Sequence, residues 1–339
     1  MAVMAIAGTR PILADNEPSA EDVLHSHGLQ RLGGNWCLAE EADLRDRLIG
    51  LDRFEQRLVG AQRAVDDLVG ENEACHARLI QFEQLEKNTR AAAAATKQGT
   101  AQRIQLDAQA KEAAAAVEQL RRLYVRPEQF GLSAPLKPAL NDLIIVRTDL
   151  MVRLLPMREA MDHLTQRYHE LHDETAVTAA LASLTPKQSL GLSHSLLDGW
   201  KIVDKLQPMV FSDSVPVSRD GPIYRVTAIV NERQPLTFSF VGTGEPTLIP
   251  QNLAEAAGLI VDAKATQIKL RVAKDRDELA WRMKVPQLRF GRLVLRNVDA
   301  YILAPEAADI GARIGAGAFA GYRVQLDTDR WQLTVGGGK

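Results

Sequence analysis

Residues 240–250 read FVGTGEPTLIP: an apolar run enters a tight Gly-Thr-Gly turn and leaves through a small segment punctuated by prolines. Glycine tolerates backbone angles closed to other residues, so this stretch predicts a strand, a sharp loop and a second short strand. The sequence on either side follows the same pattern. Upstream, IYRVTAIV (223–230) and QPLTFSF (234–240) alternate or run apolar, with NERQ as the hairpin connection between them. Downstream come TQIKLRVA (266–273), ELAWRMKV (278–285), RLVLRNVDAYIL (292–303), YRVQLD (322–327) and WQLTV (331–335), with a short helix at QNLAEAAG (251–258). Many short strands separated by turn residues indicate a small antiparallel barrel or sandwich.

Before about residue 207 the period changes from two to 3.5. Counting in sevens from Leu44 meets Leu51, Leu58, Val65, Asn72 and Leu79; three residues later the series runs Arg47, Phe54, Ala61, Leu68, Cys75 and Phe82. This is an a/d seam sustained over 44–85, with Asn72 as a polar a residue able to fix register. An amphipathic helix packed on its own domain would show a broader apolar face. After five alanines at 91–95, Gly99 offers a turn, and 101–124 returns to a helical pattern around Ile104, Val117, Leu120 and Leu123. An antiparallel hairpin within one chain fits this, as does pairing with a second copy. Further helix is expected over 141–174, kinked or split by Pro156, and over about 175–206, with Pro208 just beyond its end. The expected organisation is a signal-like or flexible segment over 1–40, a coiled coil or helical hairpin over 41–126, a helical region over 127–207 and a β domain over 208–336.

The β half resembles a retropepsin-type (clan AA) aspartic protease domain over 215–336. The resemblance rests on the paired strands, the VGTGEPTLIP loop where the family has Asp-Thr-Gly followed by a small residue, and the helix at QNLAEAAG. It continues through a hairpin at 266–286 in the place of the family's flap, the strand RLVLRNVDAYIL, and a late apolar-apolar-Gly step. Matched residue by residue, Gly242 takes the catalytic Asp position, Thr243 and Gly244 keep theirs, and Glu245 replaces a small Ala or Ser. In the late step Arg313, Ile314 and Gly315 align, Arg313 departing from the apolar pattern. The fold implied is a multidomain α plus all-β chain: an N-terminal coiled-coil region and a C-terminal retropepsin-like small β-barrel.

The family's chemistry uses two aspartates, one from each half of a homodimer, that share a proton and activate one water. Gly242 supplies neither base nor acid. Glu245 is the nearest substitute, but it lies three residues along, beyond the turn, and about 1 Å of misplacement can cost on the order of 100-fold in rate. The alternative route to activity is a heterodimeric partner with an intact Asp loop. The resemblance also implies that the Thr243 hydroxyl bonds across a dimer and that Gly244 lets two loops approach, so the scaffold can outlive the activity. Expected partners are therefore a second copy, through the β domain, the coiled coil or both, and an extended peptide or protein. At the flap tip, Asp275, Arg276, Asp277 and Glu278 stand where the family usually has glycine, which reads first as a solvated turn and second as a lid.

Composition narrows the remaining classes. The chain has 339 residues, 46% hydrophobic and 25% charged, with 41 basic against 43 acidic side chains and a net charge of -2. Without a cluster of excess Lys and Arg, nucleic acid is not an expected partner. No apolar run approaches the about 18 residues that span a bilayer. MAVMAIAG with ILA before Asp15 suggests a weak or truncated export signal, with a cytoplasmic location as the alternative. Cys37 and Cys75 fit a disulfide, two free thiols or neither. No metal or cofactor is expected. YHELHDE sets His169 and His172 three apart rather than the four of a zinc-protease helix. IGAGAFAG misses the dinucleotide fingerprint by one spacing, and GLSHS lacks the final glycine of a nucleophile elbow.

Overall fold

The computed structural model describes residues 18–32, 34–241, 245–262 and 265–337, with residues 127 and 128 described by backbone alone. The Gly242–Thr243–Gly244 turn and the export-signal segment 1–17 lie outside the described residues. The chain divides into two compact units, one combining residues up to Ile49 with Met157–Lys201, the other Gly50–Pro156 with Ile202 onward.

The first unit begins within the segment expected to be signal-like or flexible. There α1 (Ala20–Ser26), β1 (Leu29–Leu32) and β2 (Asn35–Leu38) bury Leu24, Leu29, Trp36, Cys37 and Leu38. A capping box starts α1: Ser19 accepts from the Asp22 N–H while the Asp22 carboxylate accepts from Ser19. The unit also holds α2 (Glu41–Leu48), the end of a long helix, a shorter helix and the two-residue strand that completes the sheet. Its centre is the fully buried Glu41, whose carboxylate accepts from the Tyr168 hydroxyl and from the Ser193 N–H. Leu38 N–H donates to the Tyr168 oxygen at 2.7 Å. A buried carboxylate is tolerable only when hydrogen-bonded, and here it satisfies the opening of a helix. Ser193, in the GLSHS stretch, uses its hydroxyl to cap that helix through the Leu196 N–H. Burial pushes the Cys37 thiol up to about 11, and Cys37 and Cys75 are both free.

In the second unit, α3 (Leu51–Ala95) is 45 residues long and packs antiparallel on α4 (Ala101–Leu123). The seam does not run unbroken from Leu44. Gly50, at φ +84°, separates α2 from α3, a backbone state that suits glycine and stops a helix. From Leu51 onward the a and d positions hold: Leu51, Leu58, Ala61, Val65 and Leu79 are buried, and Phe54, Leu68, Asn72, Cys75 and Phe82 half-buried. Gly99, at φ +79°, sits in the connection to α4. On α4 the buried positions are Ala110, Ala113 and Val117, whereas Ile104 and Leu123 are exposed. Small residues let the two helices approach, and the larger ones face outward. Asn72 fixes register by a local device: its amide donates to the Val125 carbonyl at 3.0 Å and accepts from the Val125 N–H at 3.1 Å.

After α5 (Pro127–Phe130), helix α6 (Leu136–Asp173) continues through Pro156, which neither ends nor splits it. The next elements are α7 (Thr175–Ser183), β3 (Ser189–Leu190), which pairs with β2, and α8 (His194–Val210). Helix α8 includes Pro208 in its last turn rather than stopping before it. A proline this close to the C-terminus removes one donor, and the Phe211 N–H still bonds the Gln207 carbonyl.

The β domain follows: β4 (Ser214–Asp220), β5 (Ile223–Val230), β6 (Gln234–Val241), β7 (Thr247–Pro250), α9 (Gln251–Ala256), β8 (Gln267–Ala273) and β9 (Arg276–Phe290). Then come β10 (Leu293–Leu303), a 3-10 turn at Pro305–Ile310, β11 (Arg313–Gly315), a second at Ala316–Phe319, β12 (Arg323–Asp327) and β13 (Gln332–Gly336). The sheet order is β12-β13-β4-β5-β6-β11-β7-β10-β9-β8, and β5 also pairs with β9 at Ile229–Arg289 and Val230–Leu288. That extra pairing closes β5, β6, β11, β7, β10 and β9 into a small barrel around Val226, Phe238, Ile249, Val285, Leu288, Ile302 and Ile314. Two contacts tie helix α6 and the α5–α6 connection to the start and end of the β domain within this unit. Arg147 of α6, with burial pushing its guanidinium down to about 10, donates to the Val210 carbonyl and the Ser212 hydroxyl. Trp331, fully buried, lies on the backbone of Gly131, where a Cβ would come within 2.1 Å of the indole.

Candidate functional site

Two parallel pairings bring the late glycine step beside the end of β6. Strand β6 ends at Val241, and β11 runs parallel to it, placing Ile314 opposite Phe240 and Gly315 opposite Val241. On its other side β11 meets β7 at Arg313–Leu248, and β7 runs parallel to β10. Gly315 is where the first residue after the turn comes closest. A Cβ there would lie 1.8 Å from the Glu245 carbonyl oxygen, so no side chain fits while that backbone stays in place. The glycine of the late step is thus a close-approach residue. Ile314 beside it is fully buried.

Glu245, the candidate substitute carboxylate, lines an open cavity of about 610 Å³ with Arg296, Asn297, Asp299, Tyr301 and Tyr322. Asn297 holds φ +54° in β10. Around the cavity, Asp299 is paired with Arg282 at 3.4 Å and Lys284 at 3.9 Å.

The hairpin expected over 266–286 forms as β8–β9. Its turn is Lys274–Asp275, so of the predicted tip residues only Asp275 is in the turn; Arg276, Asp277 and Glu278 begin β9. Their charges are engaged. Asp277 pairs with Arg271 and Lys269 across the hairpin, and hydrogen bonding from Arg271 holds its carboxyl below the usual range. Arg276 donates from both terminal nitrogens to Asp309, at 2.6 and 2.8 Å, and also pairs with Glu278. Hydrogen bonds to Asp309 and then Glu278 raise its guanidinium above the usual range, while the Asp309 carboxyl is held low in return. Arg313 reaches the same hairpin, its Nη1 donating to the Val272 carbonyl at 2.9 Å. Beneath lies an apolar cluster of Leu248, Val272, Ala280, Leu303 and Ala307, flanked by Leu270, Tyr301 and Ile310.

The structure therefore gathers the hairpin, Arg313, Ile314, Gly315 and Glu245 around the end of β6. Asp309 and the Val272 carbonyl were not identifiable from sequence; the arginine at 313 in an otherwise apolar step was the one trace they left. The seam residues belong to α3: from Asn72 onward it runs beside α4, and before that its neighbours are α6 and α8, where Arg57 pairs with Asp142, Arg153 lies over Phe54 and Lys205 pairs with Glu55. Among the described residues no group of three or more His, Cys, Asp or Glu side chains is placed to hold a metal ion, and no helix is long and apolar enough to cross a membrane.

Residues 226–331 match the family model described as aspartyl protease. The C-terminal part of the chain is thus similar to an aspartyl protease domain, and it is preceded by a region of long helices. Among solved structures, the chain is similar to a retropepsin-like aspartic protease from Rickettsia conorii, at 15% identity and a TM-score of 0.29, over 36% of this chain and 95% of that one. No curated protein matches the chain.

Proposed function

We propose that this protein holds an extended peptide or protein segment without cleaving it, acting as a homo-oligomeric binding or scaffolding protein. The observation that carries this reading is the glycine at position 242 of the sequence, where the resembled family has its catalytic aspartate. A symmetric pair of such loops brings no carboxylate to the reaction centre, so neither the base nor the acid of peptide hydrolysis is supplied. Glu245 is poorly suited to replace it, because its backbone is pinned against Gly315 and it lines the cavity with Asn297 and Tyr322. Strand addition supports the binding half of the proposal. β8 is an outermost strand of the sheet, pairing through one edge with β9, and an added peptide would bond the other.

The test is incubation of the purified chain with a mixture of unstructured peptides between about pH 4 and 7, where a shared-proton carboxylate pair would work. Retention of intact peptides is expected, with no cleavage by the unmodified chain. Cleavage that disappears in Glu245→Ala would overturn the non-catalytic reading in favour of a displaced carboxylate. A solution mass matching one chain would remove the homo-oligomer.

A further inference from the structure

We propose that the Arg276–Asp309 ion pair is a latch that holds the β8–β9 hairpin down on the barrel, and that its release frees the hairpin and the edge of β8. The use of such a latch rests on the peptide-holding function proposed above; the latch itself rests on geometry.

A two-stranded arm is marginally stable alone and needs fastening if it is to keep one position. Besides the β9–β10 ladder and the Ala304 N–H bond to the Leu279 carbonyl, two side-chain contacts tie this arm to a single short segment. Asp309 takes both terminal nitrogens of Arg276, and four residues later Arg313 donates to the Val272 carbonyl. Val272 also sets its side chain into the cluster with Leu303 and Ala307, on the same stretch of chain. That stretch runs directly into β11, whose Gly315 stands opposite Val241 at the end of β6. Hairpin, latch and the end of β6 are therefore linked by one short piece of backbone. The other ion pairs near its tip, Lys269–Asp277, Arg271–Asp277 and Arg276–Glu278, join residues of the hairpin to one another and cannot fasten it.

The strength is suited to a reversible contact. A bidentate guanidinium–carboxylate pair is among the stronger ionic hydrogen bonds, yet Arg276 and Asp309 keep 39% and 63% of their side-chain exposure, so water and salt limit what it contributes. Arg313 adds a second function. It occupies a backbone acceptor of the edge strand, so a peptide adding there must compete with it for the Val272 carbonyl.

The experiment measures thiol labelling of Val272→Cys in the full chain carrying Cys75→Ser, with Val335→Cys, in β13, prepared separately as a reference for general loosening. Both valines are buried, at 8% and 5% exposure, so labelling reports opening. Asp309→Asn and Arg276→Gln should each speed labelling at 272 by about threefold to fivefold, the range of an exposed but well-formed pair. The rate at 335 should stay unchanged. Exchanging the charges, Arg276→Asp with Asp309→Arg, should restore the slow rate, and Arg271→Gln should not raise it. An unchanged rate at 272 in Asp309→Asn, an equal rise at 335, or an equal rise in Arg271→Gln would each overturn the latch. No peptide is present in the measurement, so its failure is separate from failure of the peptide-holding function, which peptide retention decides.

Discussion

The helical hairpin and the barrel keep their shapes by different means. Along α3 buried positions recur on a heptad pattern, Leu51, Leu58, Ala61 and Val65 ahead of the stretch that α4 covers and Leu79 within it, so each position carries a small share. In the β domain and where it meets the helices, a few positions carry far more, because backbone touches backbone or an aromatic ring with no room between. Gly315 against Glu245 and Gly131 beneath Trp331 are two of these. The comparison teaches that the strongest sequence pattern does not mark the least tolerant residues.

The largest expected effect is at Gly315. A methyl group there would stand 1.8 Å from the Glu245 carbonyl oxygen, and main chain cannot swing aside as the end of a side chain can. Gly315→Ala should cost about 3 kcal/mol or more, at or beyond the top of the overpacking range, read as a lower urea midpoint. A cost below about 1 kcal/mol would mean that the barrel yields at this point as readily as the coiled coil does.

Gly131→Ala comes next. The added carbon would lie 2.1 Å from the Trp331 ring, but a ring can shift where a carbonyl cannot, so about 2 kcal/mol is expected. Trp331 also sits at φ +57°, an uncommon angle for a bulky residue, and a displaced indole should redden the tryptophan emission. Unchanged emission and stability would separate the α5–α6 connection from the barrel.

These contrasts explain how much the sequence discloses. The strands of the β domain, the helix at 251–256, the seam from Leu51 and the turn at Gly99 are legible, because periodicity and glycine placement are local properties. The start of the seam is less so: Leu44 continues the count of seven, but the left-handed angle at Gly50 breaks the helix. On α4, large apolar letters point to Ile104 and Leu123, whereas the packed positions are Ala110 and Ala113. Alanine serves both a tight helix contact and a neutral surface, so its letter does not separate the two. At the candidate site, Arg313 is visible as an exception, but its acceptor at Val272 and the Arg276–Asp309 pairing join residues 41 and 33 apart in sequence. Nothing local encodes those contacts.

Asn72 offers a middle-sized test on the helical side. Removing its amide in Asn72→Ala leaves the Val125 N–H and carbonyl without their partner and should cost about 1–2 kcal/mol, measured by thermal or urea unfolding. Were Asn72 instead paired with its counterpart in a second copy, the same substitution would change the oligomeric mass.

A smaller, pH-dependent effect belongs to the β5–β6 turn. Asn231 and Glu232 take φ +50° and +57° in the three-residue connection between the paired Val230 and Gln234. Burial alone would raise the Glu232 carboxyl, but hydrogen bonds from Arg289 and Gln287 outweigh it and hold the group below its usual value of 4.5. A carboxyl lowered in the folded state stabilises the fold above the unfolded value and loses that contribution as pH falls through the folded one. Wild type should therefore lose stability below about pH 4.5 more steeply than Glu232→Gln, and parallel acid limbs would remove the contribution.

The smallest effect sharpens the comparison most, because sequence pattern and structure disagree there. Ile104 belongs to the apolar set that makes 101–124 read as helix, yet it is 65% exposed on α4, away from the Ala110–Ala113–Val117 contact. Ile104→Gln removes no packing and replaces a β-branched residue with a somewhat better helix former, so stability should move by less than about 0.5 kcal/mol. Ala113→Gln, by the same measurement, should be clearly destabilising, since its site is 2% exposed and a longer side chain has no space between the helices. Equal losses at the two positions would mean that Ile104 is covered in solution. The outer face of the hairpin would then be packed against another surface, and the repeated seam would be only one of two interfaces that α4 makes.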